Sequence, residues 1–309
     1  MDYNEYSFSS HNFNQLSNYP SDLLFLSKRF LEVQHQVEKR HFSIEYHGRT
    51  ILTLSLTITE KEAIAPFKSP FGGLNQIEDL PNEIIERFTH FIHQKLRDEG
   101  IDSIFITFAP LCYSPRLDNQ IQTFLKLGWK INDSDVGLFL DLKTKSFWKS
   151  IDSGSKNRLN KARKAGFYCQ KIHTEELKSA YEILVSNRIR NGYPITMKFE
   201  DLNFMCQNFK EYELFAVYDD EKMIAMAVCI QVSHKISYLF YLADLHDYRS
   251  YSPNILMLNY IYDYYLHRGF EIFDLGLVSE KSVINRGLFN FKRNLGGSIS
   301  KKYGLIKYL

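Results

Sequence analysis

Apolar residues recur along this chain with two different periods, and the switches between them mark its elements. Alternation and short apolar runs predict strands at His41–Tyr46 and Thr50–Thr59, joined by a turn at His47-Gly48, and at Ser103–Phe108. The same signal returns at Leu214–Tyr218, Met223–Val232, Ile236–Ala243 and Phe270–Leu275. Elsewhere the period lengthens. Ile84, Ile85, Phe88, Phe91, Ile92 and Leu96 lie three and four residues apart, as do Leu258, Ile261, Tyr262 and Tyr265. Those stripes predict amphipathic helices over about 82–99 and about 253–268. Asp79, Pro81 and Asn82 before the first, and Ser252-Pro253 before the second, are helix-start signals.

The order of elements occurs twice. Gly100 and Gly269 lie 169 residues apart, and Gly128 and Gly296 lie 168 apart. Pro70 and Pro253 are separated by 183, so one loop differs in length. A near-constant offset is the mark of internal duplication. It predicts a first domain over 1–142, a basic linker or helix over 143–166, and a second domain over 167–309. Each is expected to be of α/β type, a mixed sheet flanked by helices.

In the second domain, strand, helix and strand follow one another directly. A helix start and the ends of two parallel strands then open onto one edge, where α/β sheets hold ligands. Several residues on that edge have two readings. The helix start at Ser252 suits a phosphate or carboxylate, or is plain capping. Asp274 at a strand end can orient an amine or take its proton, or can cap its own loop. Asp244, at the end of the neighbouring strand, has the same two options. Lys292, next to Phe291, can neutralise charge developing on a carbonyl oxygen, or is a snorkelling surface lysine with Arg293 as its control.

The segment Lys156–Lys164 carries Lys156, Arg158, Lys161, Arg163 and Lys164 and no acid. It reads as a solvated helix with Leu159, Ala162 and Ala165 turned inward, or as an anion-binding wall for a phosphate-bearing substrate or an RNA acceptor end.

Composition narrows the field. A formal net charge of +2 argues against stable DNA binding, which calls for a larger basic excess. Cys112, Cys169, Cys206 and Cys229 are scattered, without the spacing of a zinc site or a disulfide framework. The start of the chain lacks a secretory pattern, and no apolar run approaches the ~20 residues of a bilayer span, so a cytoplasmic setting is expected. No nucleophile triad order, P-loop or GxGxxG stands out.

Six short motifs occur in a fixed order. They are Ser69-Pro70-Phe71-Gly72-Gly73, the basic stretch Lys156–Gly166, Arg188-Ile189-Arg190-Asn191-Gly192-Tyr193-Pro194, Tyr251-Ser252-Pro253, Phe273-Asp274-Leu275-Gly276, and Gly287-Leu288-Phe289-Asn290-Phe291-Lys292 with Gly296. Together they resemble the Fem-type branch of the GNAT acyltransferase superfamily, the tandem GNAT-like domains of peptidoglycan-bridge aminoacyl transferases and their acetyltransferase-like relatives. The resemblance implies direct attack of an amine on a thioester or ester carbonyl, with no metal and no covalent enzyme intermediate. It implies catalytic roles for Lys292 and Asp274, with Asp244 beside them. It further implies donor or substrate contacts at Arg249, Tyr251, Ser252, Asn285, Phe291, Arg190, Tyr193, Lys161, Arg163 and Lys164. The donor is acyl-CoA, such as acetyl-CoA, or an aminoacyl-tRNA. The acceptor is a small-molecule or peptide amine.

One departure bears on the donor. Relatives that use acetyl-CoA carry Q/R-x-x-G-x-G/A before this helix. Here Arg249-Ser250-Tyr251-Ser252-Pro253-Asn254 keeps the first residue and lacks both glycines. The rival expectation is a GNAT-like binding module that holds an anionic ligand in the second domain without turnover.

Overall fold

The computed structural model describes residues 5–13, 18–34, 37–143 and 146–309. Residues 1–4 of the N-terminus and 144–145 of the expected linker lie outside the described residues. The first half of the sequence runs β1 (Tyr6–Asn12), α1 (Lys28–Glu32), β2 (Glu38–Tyr46), β3 (Arg49–Thr59), β4 (Glu62–Ala65), β5 (Asn75–Gln76), α2 (Asn82–Asp98), β6 (Ser103–Thr107), α3 (Arg116–Lys126) and β7 (Lys130–Asp141). The second half begins with α4 (Phe147–Ser150), α5 (Ser153–Lys164), β8 (Tyr168–Ile172), α6 (Leu177–Asn191), α7 (Phe199–Asn208), β9 (Tyr212–Asp219), β10 (Lys222–Gln231) and β11 (Ile236–Asp244). It ends with α8 (Pro253–His267), β12 (Ile272–Leu277), β13 (Ser279–Glu280), β14 (Val283–Ile284), α9 (Arg286–Asn294) and β15 (Ser298–Tyr308).

The periodic stripes become helices where the pattern places them. Ile84, Ile85, Phe88, Ile92 and Leu96 are buried on α2, and Leu258, Ile261, Tyr262 and Tyr265 on α8. The sequence pattern does not announce β4, which is four residues long, or α6. On α6, Leu177, Ala180, Ile183 and Leu184 are buried.

The chain divides into two units: Met1–Val136 with Ser279–Val283 and Ser300–Leu309, and Gly137–Val278 with Ile284–Ile299. In the first, β1, β2, β3 and β4 pair antiparallel in turn, and β6 lies parallel to β4. β15 closes this sheet against β6, from Gly304 opposite Thr107 to Tyr308 opposite Ser103. In the second, β8, β9, β10 and β11 are antiparallel and β12 is parallel to β11. β7 closes this sheet against β12, with Asp141 opposite Ile272.

Both units thus follow one plan: an antiparallel ladder, a parallel βαβ pair, and an antiparallel closing strand. The closing strand of each comes from the other half of the sequence. A parallel pair leaves an open edge that needs a partner, and either closing strand satisfies that need. The division differs from the expected bounds. Ser279–Val283 and Ser300–Leu309 lie in the first unit, whereas residues 137–142 and the helix α5 of the expected linker lie in the second, where α5 buries Leu159 and Ala162 in the core.

The second unit's sheet is covered on both faces. Phe215, Val217, Ala225 and Ala227 pack with α8 residues Leu258, Ile261, Tyr262 and Tyr265. The alternate residues Leu214, Ala216, Met226 and Val228 are also buried, on the face where α6 crosses β10 and β11. Among the described residues no helix is long and apolar enough to cross a membrane.

Candidate functional site

β11 and β12 pair at Ile236–Ile272, Ser237–Phe273 and Tyr238–Asp274, and there the ladder stops. Both strands run on, to Asp244 and Leu277. β11 stays bonded to β10 as far as Asp244, and β12 meets β7 again where Leu277 faces Gly137. The two parallel strands therefore fork at their C-terminal ends.

The fork has a local cause. Between Asp274 and Leu277 the register of β12 against β7 shifts by a bulge. Gly276 sits there with φ +79°, a left-handed conformation that favours glycine. The Asp274 carboxylate accepts a 2.7 Å hydrogen bond from the Gly276 N–H. The Gly276 and Leu277 carbonyls accept hydrogen bonds of 3.0 and 2.9 Å from Lys292 Nζ. The loop-capping reading of Asp274 is thus realised, and its position at the fork is realised with it.

Lys292 is not a surface lysine: its relative exposure is 7%. Burial pushes its pKa down to about 8, against the pull of the nearby Asp274 charge. At pH 7 a group of that pKa is still about ten to one protonated, so Lys292 is a buried cation and not a base. Arg293 is exposed and donates to the Gly297 carbonyl at 2.7 Å. Asn285 caps α9, accepting from the Leu288 N–H at 3.0 Å, and its Nδ2 lies 3.4 Å from the Tyr193 hydroxyl. Phe291 packs half-buried against the core.

The α6 face of the fork is rich in charge and hydroxyls. Phe273 and Leu275 point into the α8 core, so Asp274 between them points to the α6 side. Tyr238, its register partner, has its phenol pKa raised, by burial first and by Asp274 next, and stays a neutral hydroxyl. Asp244 is buried and engaged: Arg190 reaches its carboxylate at 3.1 Å and Asn187 at 2.9 Å. That pairing ties the end of β11 to α6. The Tyr241 hydroxyl meets Thr196 Oγ1 at 2.6 Å. Arg188 lies over the Tyr241 ring at 5.3 Å and the Tyr193 ring at 5.7 Å.

The start of α8 is less open to an anion than its sequence suggests. Ser252 has φ +58° and its side chain makes no cap. Its N–H is bonded to the Arg249 carbonyl, Pro253 has no N–H, and Ile255 donates to the Ser252 carbonyl. Lys161 donates to the Ser250 carbonyl at 2.8 Å and lies 4.9 Å from the Tyr251 ring centre. Arg249 is exposed. Arg163 reaches Asn259, about 9 Å along α8 from its first residue at 1.5 Å per residue. Lys164 is exposed. The basic segment therefore spreads along α8 and does not form a single wall at its N-terminus.

The first unit has no such fork. Its β4–β6 ladder runs to Ala65 opposite Ile106, where β4 ends. The Gly72 N–H then donates to the Thr107 carbonyl at 2.8 Å. A Cβ on Gly72 would lie 2.7 Å from the Ala65 Cβ, and Phe71 is buried. The Ser69–Gly73 turn thus packs into the strand ends that stand apart in the second unit.

Sequence reasoning missed Arg188, Asn187, Tyr238 and Tyr241. The tyrosines look like sheet composition, and Arg188 lies inside a quoted motif whose other arginine drew attention. Among the described residues no group of three or more His, Cys, Asp or Glu is placed to hold a metal ion.

The forked parallel pair, the buried lysine beside it and the repeated βαβ plan can be compared with known proteins. A model of the acetyltransferase (GNAT) domain matches residues 156–293, which contain the whole fork. Solved structures extend the likeness beyond that segment. FemX is 14% identical, with 94% of this chain and 93% of that one aligned at a TM-score of 0.71. L-PGS from Bacillus licheniformis is 12% identical over 82% and 80% of the two chains, at 0.58. A tandem GNAT protein from the clavulanic acid biosynthesis pathway is 10% identical over 98% of both, at 0.54. Identities this low speak for the fold. Residues 156–293 match the GNAT domain model, and the chain as a whole shares the fold of FemX and of the tandem GNAT protein. A sequence search of curated proteins finds no match.

Proposed function

We propose that this protein is an N-acyltransferase whose reaction takes place at the β11–β12 fork. The observation that carries the reading is the end of the ladder at Tyr238–Asp274 beside buried Lys292. Past that point the backbone of β11 presents a strand edge, and an extended donor arm bearing amides can pair with such an edge as an added strand. The pantetheine arm of an acyl-CoA has that chemistry.

In the proposed reaction, the amine nitrogen attacks the donor carbonyl carbon and a C–N bond forms. Two N–H groups of Lys292 hold backbone carbonyls, and the third faces the developing oxyanion. Asp274 receives the amine proton. The tetrahedral adduct collapses with loss of the C–S or C–O bond, and the leaving group takes up a proton. No metal and no acyl-enzyme are required.

A second reading keeps this chemistry but takes an ester donor, an aminoacyl-tRNA. It is favoured by the start of α8, where bonded amides and Pro253 leave a poor cradle for a pyrophosphate. The two are separated by titrating the protein calorimetrically with acetyl-CoA and with an aminoacylated tRNA acceptor stem. Amine-dependent release of free thiol, or of deacylated RNA, is then measured. Saturable binding of one donor with amine-dependent turnover is expected. If neither donor binds, the non-catalytic binding module takes the place of the enzyme.

A further inference from the structure

Two arginines stand two residues apart on α6 with opposite fates. Arg190 is neutralised by Asp244. Arg188 has no carboxylate, and its side chain makes no hydrogen bond or ion pair among the described residues. Its Nε is buried without an acceptor. Arg190 has an orphaned Nε too, but its other nitrogens hold Asp244; Arg188 as a whole is half-buried and no described residue accepts from any of its nitrogens. Arg188 is nevertheless held in place, between the Tyr241 ring at 5.3 Å and the Tyr193 ring at 5.7 Å.

Each ring has a contact of its own, Tyr241 buried and Tyr193 exposed. Tyr241 is buried and its hydroxyl meets Thr196. Tyr193 is placed by the turn that ends α6, where Gly192 adopts φ +66° and the Tyr193 N–H donates back to the Arg188 carbonyl at 3.0 Å. Asn285, the cap of α9, contributes a contact to the Tyr193 hydroxyl from the Lys292 side. A planar cation stacked on aromatic faces, with its hydrogen-bonding edge unused, is arranged for bidentate recognition of a carboxylate.

Its location says whose carboxylate. Tyr241, which Arg188 covers, lies on β11 three residues past the last rung of the β11–β12 ladder, and Tyr193 meets Asn285, the cap of the helix that carries Lys292. Arg188 therefore stands at the fork.

We propose that Arg188 binds a carboxylate on the amine acceptor, so that the acceptor is an amino acid or a peptide whose carboxylate lies close to the reacting amine. This rests on the acyl-transfer reading of the fork. Tyr193 and Tyr241 are positioning residues for Arg188, and Arg188 determines which amines are accepted.

The test has two arms. The first needs no turnover. A mixture of N-acetyl amino acids, which are the products of such a reaction with acetyl donors, is compared with the matching N-acetyl amino amides by ligand-observed NMR. The probes are added to wild type, Arg188→Lys and Arg188→Gln, each checked by circular dichroism for an unchanged melting profile. Carboxylate probes are expected to bind wild type and to weaken roughly 10- to 100-fold in Arg188→Gln, with amides weak throughout. Arg188→Lys is expected between the two, because an ammonium keeps the charge and loses the fork. Equal binding of acids and amides to wild type, equal binding of acids to wild type and Arg188→Gln, or no binding of acids at all would overturn the proposal. The second arm compares kcat/KM for amino acids, their amides and the corresponding decarboxylated amines, together with an aminophosphonate to separate carboxylate from phosphonate recognition. Turnover of amides or decarboxylated amines as fast as acids overturns it here too, as does a preference for the phosphonate. Absence of transfer to every amine from every donor, with the acids still bound through Arg188, counts against the fork chemistry and not against Arg188.

Discussion

Lys292 Nζ lies 3.0 Å from the carbonyl oxygen of Gly276, a residue in the left-handed conformation at the bulge that ends the β11–β12 ladder. One ammonium thereby satisfies carbonyls that the bulge removes from the sheet, while it sits where the proposed acyl carbonyl reacts. Structure and chemistry are coupled in this side chain, and that coupling sets the first expectation.

Lys292→Met leaves the Gly276 and Leu277 carbonyls without their donor. Each buried polar group so orphaned costs about 1–3 kcal/mol. Urea unfolding is expected to show a clear loss of stability for Lys292→Met, and a smaller one for Arg293→Ala, which removes a single part-buried hydrogen bond to the Gly297 carbonyl worth about 1 kcal/mol. Matching, small losses in the two variants would return Lys292 to the role of a solvated side chain.

The same lysine predicts a pH dependence. Its pKa is lowered from 10.5 to about 8, so between those values the unfolded chain binds more protons than the folded one. Stability contributed through Lys292 therefore rises with pH across that window, by up to the order of 3 kcal/mol. Below about pH 8 the buried charge carries its full penalty. The wild-type minus Lys292→Met difference in unfolding free energy, followed from pH 7.5 to 10, is expected to grow; a flat difference would contradict a depressed pKa.

Gly276→Ala tests the bulge itself. A Cβ there would lie 3.3 Å from Tyr238 Cε2, on a backbone with φ +79°. The strain is expected to cost about 1–2 kcal/mol. It also shifts the carbonyls that hold Lys292, so donor affinity measured by calorimetry is expected to fall together with the melting temperature. Full donor affinity in a destabilised variant would separate the bulge from the site.

Glu213 makes a prediction away from the fork. It is buried, and its carboxylate accepts from Lys171, Tyr264, Tyr265 and Arg268. Burial raises its pKa, but the hydrogen bonds from Lys171, Tyr264 and Tyr265 outweigh burial and the net shift is downward. A depressed carboxylate contributes stability that is fully present above its unfolded pKa of 4.5 and is lost as pH falls through the folded value. Glu213→Ala is expected to cost about 3–5 kcal/mol at neutral pH and to flatten the acid limb of the stability profile below pH 4.5. Thermal melts from pH 7 to 3 check both statements.

Many of the elements are legible in the sequence, because hydrophobic periodicity is a local property, although β4 and α6 are not. The α8 stripe, the helix start at Pro253 and the strand that carries Asp274 are consequences of neighbours in the chain, and the repeated order of elements is visible in the residue offsets. The sequence also placed Asp274, Asn285 and Lys292 among the candidates, since a glycine after a strand-end aspartate and a lysine in a short amphipathic helix are visible as text. Tertiary structure decided what those residues touch. Lys292 is buried only because the bulge at Gly276 turns two carbonyls toward it, and a bulge depends on the pairing of β12 with β7, which lies over a hundred residues earlier. Asp244 and Arg190 cancel each other across α6 and β11, whereas Arg188, two residues away, keeps its charge. Identical residue types in one motif were given different roles by the direction each side chain takes from the helix, a property of packing that spacing in sequence does not contain.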